Sequence, residues 1–175
     1  PVRYLTNLST RKMGYALAAA AWERGARVVL VSGKTSLTPP VGVEVVPVGS
    51  AEEMFQAVKR EAEDADVIIK AAAVADFTPL HTAQEKLKKS GSDSMTLELT
   101  RTQDILAYLG SRKRPGQKLC GFSMETENLV ENSRQKLARK NADLIVANSL
   151  RQEGAGFGVD TNIITLIDRE GSCQL

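Results

Sequence analysis

The stretch Ile68 to Phe77, IIKAAAVADF, sets the terms for the whole chain. Its apolar lead-in, Val67 to Ile69, does not alternate with polar residues as a half-wet strand would. The segment Asp66 to Ala72 therefore reads as a strand buried on both faces, and such strands belong to parallel sheets covered by helices. In open sheets of that kind ligands bind beyond the carboxyl ends of the strands. Alanines there would let a ligand approach the backbone, and Asp76 stands where a sugar hydroxyl or a metal would be held. A turn with a solvated aspartate is the plain alternative, and this stretch alone does not separate the two.

The rest of the chain alternates strand and helix, the pattern of a parallel doubly wound sheet. Arg27 to Ser32 and Val43 to Val48 read as strands, as do Lys118 to Ser123, Asp143 to Asn148 and Asn162 to Ile167. Helices are expected from Lys12 to Arg24, closed by Gly25, and from Ala51 to about Glu63, capped by Ser50. Two more are expected over Asp104 to Arg112 and Glu125 to Lys140. Between Phe77 and Thr100 the alternation breaks. Glu85 to Lys89 and Met95 to Leu99 flank Gly91-Ser92-Asp93-Ser94, which predicts a protruding two-stranded excursion. A doubly wound domain opens with a strand, whereas this chain opens on Pro1 and leads into a helix. The expectation is one domain over residues 1–175, trimmed at both ends, lacking a first strand and so leaving one sheet position unpaired.

Composition narrows the function classes. A net charge of +2 is too small to argue for nucleic acid, and no basic run is interleaved with aromatics. No apolar run is long enough for a bilayer. Two cysteines, Cys120 and Cys173, give neither a disulfide framework nor a metal-ligand spacing, which favours a reducing cytoplasm.

The common phosphate cradles, G-x-G-x-x-G and G-x-x-x-x-G-K-[ST], are absent. A helix N-terminus at Asn7 to Lys12 offers another construction, since free backbone N–H groups attract anions and Ser9, Thr10 and Lys12 add donors. Plain capping explains it as well. Lys136 and Lys140, four apart, share one helix face. Lys86 is one of three lysines in five residues on the excursion. For such lysines a solvated face is the default. His81 lies in a polar loop and is assigned no role.

Taken together, Pro1 to Ser9 with Lys12-Met13-Gly14, Ala72 to Phe77 (AAVADF), Glu85 to Lys88 (EKLK), Asp104-Ile105-Leu106, Gly121-Phe122 with Glu125-Thr126, Lys136 with Lys140, Asp143 to Asn148 (DLIVAN) and Gly156 to Asn162 (GFGVDTN) resemble the phosphopantothenoylcysteine synthetase family. This is the ligase domain of the bifunctional bacterial coenzyme A biosynthesis protein. The resemblance runs through nearly the whole chain, in order. It implies a Rossmann-like homodimer that joins 4′-phosphopantothenate to L-cysteine with CTP and Mg²⁺, through an acyl-cytidylate, releasing CMP and pyrophosphate. FMN would belong to the fused decarboxylase domain of that family, not to this one. Carried over by residue, Asp76 would hold the ribose, Lys86 the phosphates, and Gln103, Asp104, Ile105 and Leu106 with Phe122 the cytosine. Lys136 and Lys140 would meet phosphates or the base edge. Ser9 and Ala72 complete the nucleotide set, and Asn7 and Lys86 are the expected catalytic residues.

This chain departs from the family pattern at Arg11, where a glycine is usual, at Gln103 for proline and at Ser149 for aspartate. The residues themselves are consistent with carboxylate activation by a nucleoside triphosphate, which needs cations around the phosphates and a donor for the developing oxyanion, here Asn7. Two rivals stay open: a nicotinamide-dependent reductase on the same fold, and a non-catalytic nucleotide-binding module that would bind CTP without releasing pyrophosphate.

Overall fold

A computed structural model describes residues 4–7, 9–85, 94–125, 127–149 and 163–175. Among them the elements run α1 (Lys12–Glu23), β1 (Val29–Gly33), β2 (Glu44–Val48), α2 (Ala51–Glu61), β3 (Val67–Lys70), β4 (Phe77–Pro79) and β5 (Leu99–Arg101). There follow α3 (Ile105–Arg112), β6 (Lys118–Glu125), α4 (Leu129–Arg139), β7 (Leu144–Ser149), β8 (Ile164–Ile167) and β9 (Ser172–Gln174).

Side-chain caps set two of the four helix starts among the described residues. Ser50 caps α2 by accepting from the Glu53 N–H at 3.1 Å, while the Glu53 carboxylate takes the N–H of Gly49, one residue before the N-cap, a shifted form of the capping box. Asp104 caps α3 through the Ala107 N–H at 2.9 Å. The start of α1 differs from expectation. Its N-cap is Arg11, left-handed at φ 62 with no side-chain cap bond, and Ser9 Oγ instead accepts from the Arg11 N–H. Gly25, at φ 85, closes this helix as expected. The fourth helix begins at Leu129 rather than Glu125, because β6 stays extended to Glu125. Its end is tied down by Ser123 Oγ at 3.0 Å and Asn132 Nδ2 at 3.2 Å, both to the Glu125 carboxylate.

A five-stranded sheet of order β3-β6-β7-β8-β9 is parallel at β3-β6-β7 and antiparallel at its β8 and β9 end, so the last expected strand gains a partner, Ser172–Gln174, that the sequence reading left out although the Asp168 to Gly171 turn signals it. Strands β1 and β2 pair in parallel with each other, and neither is hydrogen-bonded to β3 among the described residues. This is a Rossmann-like α/β architecture.

Helices α2, α3 and α4 cover one sheet face. The core there is Ile105, Leu106 and Leu109 of α3 with Leu119, Leu137, Ala142 and Ile145, against which Phe55, Val58 and Ile68 pack. Phe55 and Tyr108 meet edge to face with ring centres 5.0 Å apart. The other face of β3 corrects the expectation of a strand buried on both sides. Val67 and Ile69 are 59% and 43% exposed, above an apolar hollow of about 450 Å³ that Leu17 also lines. Within the excursion β4 pairs with β5 in antiparallel register, Phe77 with Arg101 and Pro79 with Leu99, and of the flank expected at 85–89 all but Glu85 lies outside the described residues. Anchors to the body explain this: the Thr102 N–H donates to the Asp76 carbonyl and Thr102 Oγ1 to that of Ala75, at 2.9 and 2.7 Å. Residues 86–93, which include Lys86, lie outside the described residues.

Candidate active site

A cavity of about 480 Å³ opens at the carboxyl ends of β3 and β6, where an open parallel sheet places its ligands. It gathers residues that are far apart in sequence. Asp76 comes from the turn after β3, the run Gln103 to Leu106 from the start of α3, Phe122 from β6, and Lys136 and Lys140 from α4 and its cap. Three cations that the sequence reading passed over share the wall: Lys70, Arg101 and Arg139. The signal for Lys70 was present, a charge inside an apolar strand. Arg139 stands three residues from Lys136, and so on the same helix face.

Beside the cavity two helices approach closely at Lys140, which is part of the lining. A Cβ at Gly110 would lie 1.8 Å from the Lys140 carbonyl oxygen, so only glycine lets α3 pass the C-terminal end of α4 at this distance. Asn141 Nδ2 donates to the Gly110 carbonyl at 2.9 Å and fixes the crossing. The approach brings the Lys140 ammonium onto Asp104, whose second carboxylate oxygen accepts from it while the first caps α3. Burial would raise the Asp104 pKa, but the Lys140 ammonium and the Ala107 amide outweigh it and hold the carboxyl below its ordinary value. Asp104 is thus an ionised anchor for Lys140.

Lys136 donates to the Phe122 carbonyl at 2.8 Å, which ties α4 to the end of β6. Burial lowers its pKa, with Lys140 and Arg139 acting the same way and Glu125 opposing. Behind it Ser123 and Ser133, both buried, share a hydrogen bond of 2.9 Å. Asp76 is exposed, and its carboxylate makes no hydrogen bond among the described residues. It therefore offers two free acceptor oxygens to a ligand. Arg101 lies over the Phe77 ring at 5.8 Å on the same rim.

Asn7, Ser9 and Ala72 do not line this cavity. The Asn7 amide donates to the Ala73 and Val74 carbonyls at 3.3 and 3.4 Å, which docks the segment before α1 onto the turn between β3 and Asp76. Ser9 is occupied with Arg11, its carbonyl accepting from the guanidinium at 3.2 Å. Cys120 is buried in β6, where desolvation pushes its thiol up to about 11 and keeps it protonated. No cluster of three or more His, Cys, Asp or Glu among the described residues could hold a metal ion, and no helix among them is long and apolar enough to cross a membrane.

The family model of the DNA/pantothenate metabolism flavoprotein (DFP) C-terminal domain matches residues 1–175. The chain belongs to this family. Among its relatives, the coenzyme A biosynthesis bifunctional protein CoaBC of Bacillus subtilis (strain 168) is 53% identical over 98% of this chain and 42% of its own length. A cysteine/cysteine sulfinic acid decarboxylase from an unknown prokaryotic organism is 47% identical over 98% of this chain and 48% of its own length. The crystal structure of the C-terminal domain of a coenzyme A biosynthesis bifunctional protein CoaBC superposes with a TM-score of 0.82 at 43% identity, covering 100% of this chain and 78% of that one. The DFP domain thus spans less than half the length of these curated relatives, and their names describe the whole proteins. The resemblance read from the sequence is borne out over the entire chain.

Proposed function

We propose that this DFP domain is a phosphopantothenate–cysteine ligase that uses CTP as co-substrate, acting as a homodimer in the cytoplasm. One observation carries the reading. Asp76, the α3 turn from Gln103 to Leu106, Phe122, Lys136 and Lys140, all singled out by the family resemblance, surround a single cavity. A positive wall around a pair of free carboxylate oxygens suits a ribonucleotide, with the ribose hydroxyls on Asp76 and the phosphates toward the lysines.

In the first step a carboxylate oxygen of 4′-phosphopantothenate attacks the α-phosphorus of CTP. The bond to the bridging oxygen breaks, and pyrophosphate leaves with its electron pair. Lys136 and Lys140 neutralise charge that grows on the phosphoryl oxygens, and the family resemblance assigns the outer phosphates to Lys86. In the second step the cysteine amine attacks the acyl carbon, loses a proton, and expels CMP. Asn7 supplies a neutral donor to the oxyanion of that step, its amide moving from the Ala73 and Val74 carbonyls that it now contacts. Magnesium enters as the counter-ion of the triphosphate and so as part of the substrate, in keeping with its habit of binding through phosphates and few carboxylates.

The test is a pyrophosphate-release assay with CTP, ATP, GTP and UTP, each with 4′-phosphopantothenate and with or without cysteine. Release with CTP, and amide product only when cysteine is present, is the expected outcome. CTP binding without release would favour the non-catalytic module, and a melting shift with NADPH but not CTP would favour the reductase.

A further inference from the structure

Lys70 is the last residue of β3, in register with Gly121 of β6. Strand alternation puts it on the same face as Ile68, which packs against the core under α3. Two residues on, the helical cover ends, that face opens into the cavity, and Lys70 forms part of its wall. The lysine is partly buried, yet its ammonium makes no hydrogen bond among the described residues. Its neighbours are engaged. Lys140 is paired with Asp104, and Lys136 donates to the Phe122 carbonyl. Burial and then the Lys136 ammonium push the Lys70 pKa down, and Asp104 and Asp76 offset this in part. Two ammonium groups that repel each other across one cavity create a standing positive potential, which is costly until an anion enters.

We propose that Lys70 is a further phosphate-binding residue of this site, its ammonium closing with that of Lys136 on the phosphoryl group attached to the ribose. The assignment rests on the nucleotide reading above, in which Asp76 holds the ribose and the turn at Asp104 holds the base. Lys70 lines the same cavity as both of these carboxylates and Lys136, which places it for the phosphate next to the ribose rather than for the terminal one.

Equilibrium binding of cytidine and of CMP to the intact chain tests this, since the two differ only in that phosphate. The parent should prefer CMP. In Lys70→Met the preference should shrink tenfold or more, while cytidine affinity stays within twofold, which also reports an intact pocket. Should Lys70→Met not fold, Lys70→Gln against Lys70→Arg makes the same comparison, the arginine keeping the preference and the glutamine losing it. If cytidine and CMP weaken together, Lys70 only shapes the pocket and the proposal falls. If the CMP preference survives, Lys70 does not touch the phosphate and the proposal falls alone. A parent that binds neither compound overturns the nucleotide reading and this proposal with it.

Discussion

Replacing Gly110 with alanine tests how the cavity is held together. The added methyl would sit 1.8 Å from the Lys140 carbonyl oxygen, whereas real Cβ contacts essentially never fall under 3.0 Å, so the two backbones must part by at least 1.2 Å. Neither side can give by rotating a side chain, because the obstacle is main chain at the end of α4. Overpacking of this kind costs about 1–3 kcal/mol. Separation would also strain the 2.9 Å bond from Asn141 to the Gly110 carbonyl, a loss of about 1 kcal/mol. The expected destabilisation is therefore about 2–4 kcal/mol, or a melting temperature lower by roughly 5–15 °C for a chain of this size. Urea unfolding gives the free energy directly, and a CTP titration of the folded fraction should show weaker binding, since Lys140 moves with its carbonyl. Gly14→Ala is the control, because a Cβ there meets nothing within 4 Å and lies inside α1, where alanine should stabilise by about 0.5–1 kcal/mol. Unchanged stability and CTP affinity in Gly110→Ala would refute the close approach as the support of the site.

Asp76→Ala should weaken CTP binding by about 1.5–3 kcal/mol, the range for hydrogen bonds to a charged group, and a 2′,3′-dideoxy nucleotide should bind variant and parent alike; equal CTP affinity would remove Asp76 from the ribose. Lys140→Met should cost up to about 1 kcal/mol at neutral pH, a small value because Asp104 is about half exposed. With the Asp104 pKa depressed in the fold, that contribution is present above about pH 4, the ordinary carboxylate range, and disappears as the pH falls through the folded value, so urea unfolding of parent and variant should converge as the solution is acidified. Asn7→Asp should release pyrophosphate once yet slow acyl transfer to cysteine by about 10²–10³, with acyl-cytidylate visible by mass spectrometry; loss of the first step too would leave Asn7 the docking role it has against Ala73 and Val74. Arg11→Gly should leave stability unchanged or raise it by up to about 1 kcal/mol, because glycine adopts φ 62 without the cost a side chain meets there; a loss above that size in thermal unfolding would mean that the Arg11 contacts outweigh the strain.

The sequence by itself determined what depends on neighbours in the chain. Ser50 and Asp104 stand before helical runs whose first N–H groups need acceptors, Gly25 follows one that needs a left-handed residue, and the β-branched runs before Ser32, Val48 and Asn148 cannot be helix as readily as strand. Family motifs then pointed to Asp76, Phe122, Lys136 and Lys140 without any coordinates. Tertiary structure decided what depends on partners distant in the chain. Strand pairing is one case: β4 with β5 is fixed by Thr102 reaching back to Ala75 and Asp76, whereas β8 returns to β9 through a local turn whose Asp168 carboxylate accepts from the Glu170 and Gly171 N–H groups. Burial is another, since Val67 and Ile69 read as core residues, yet the face they share is uncovered among the described residues. The last is charge. An ammonium on Lys70 looks like the wet end of a strand until the fold sets Lys136, Asp104 and Asp76 around it, because an electrostatic environment belongs to distances across the cavity and not to spacing along the chain.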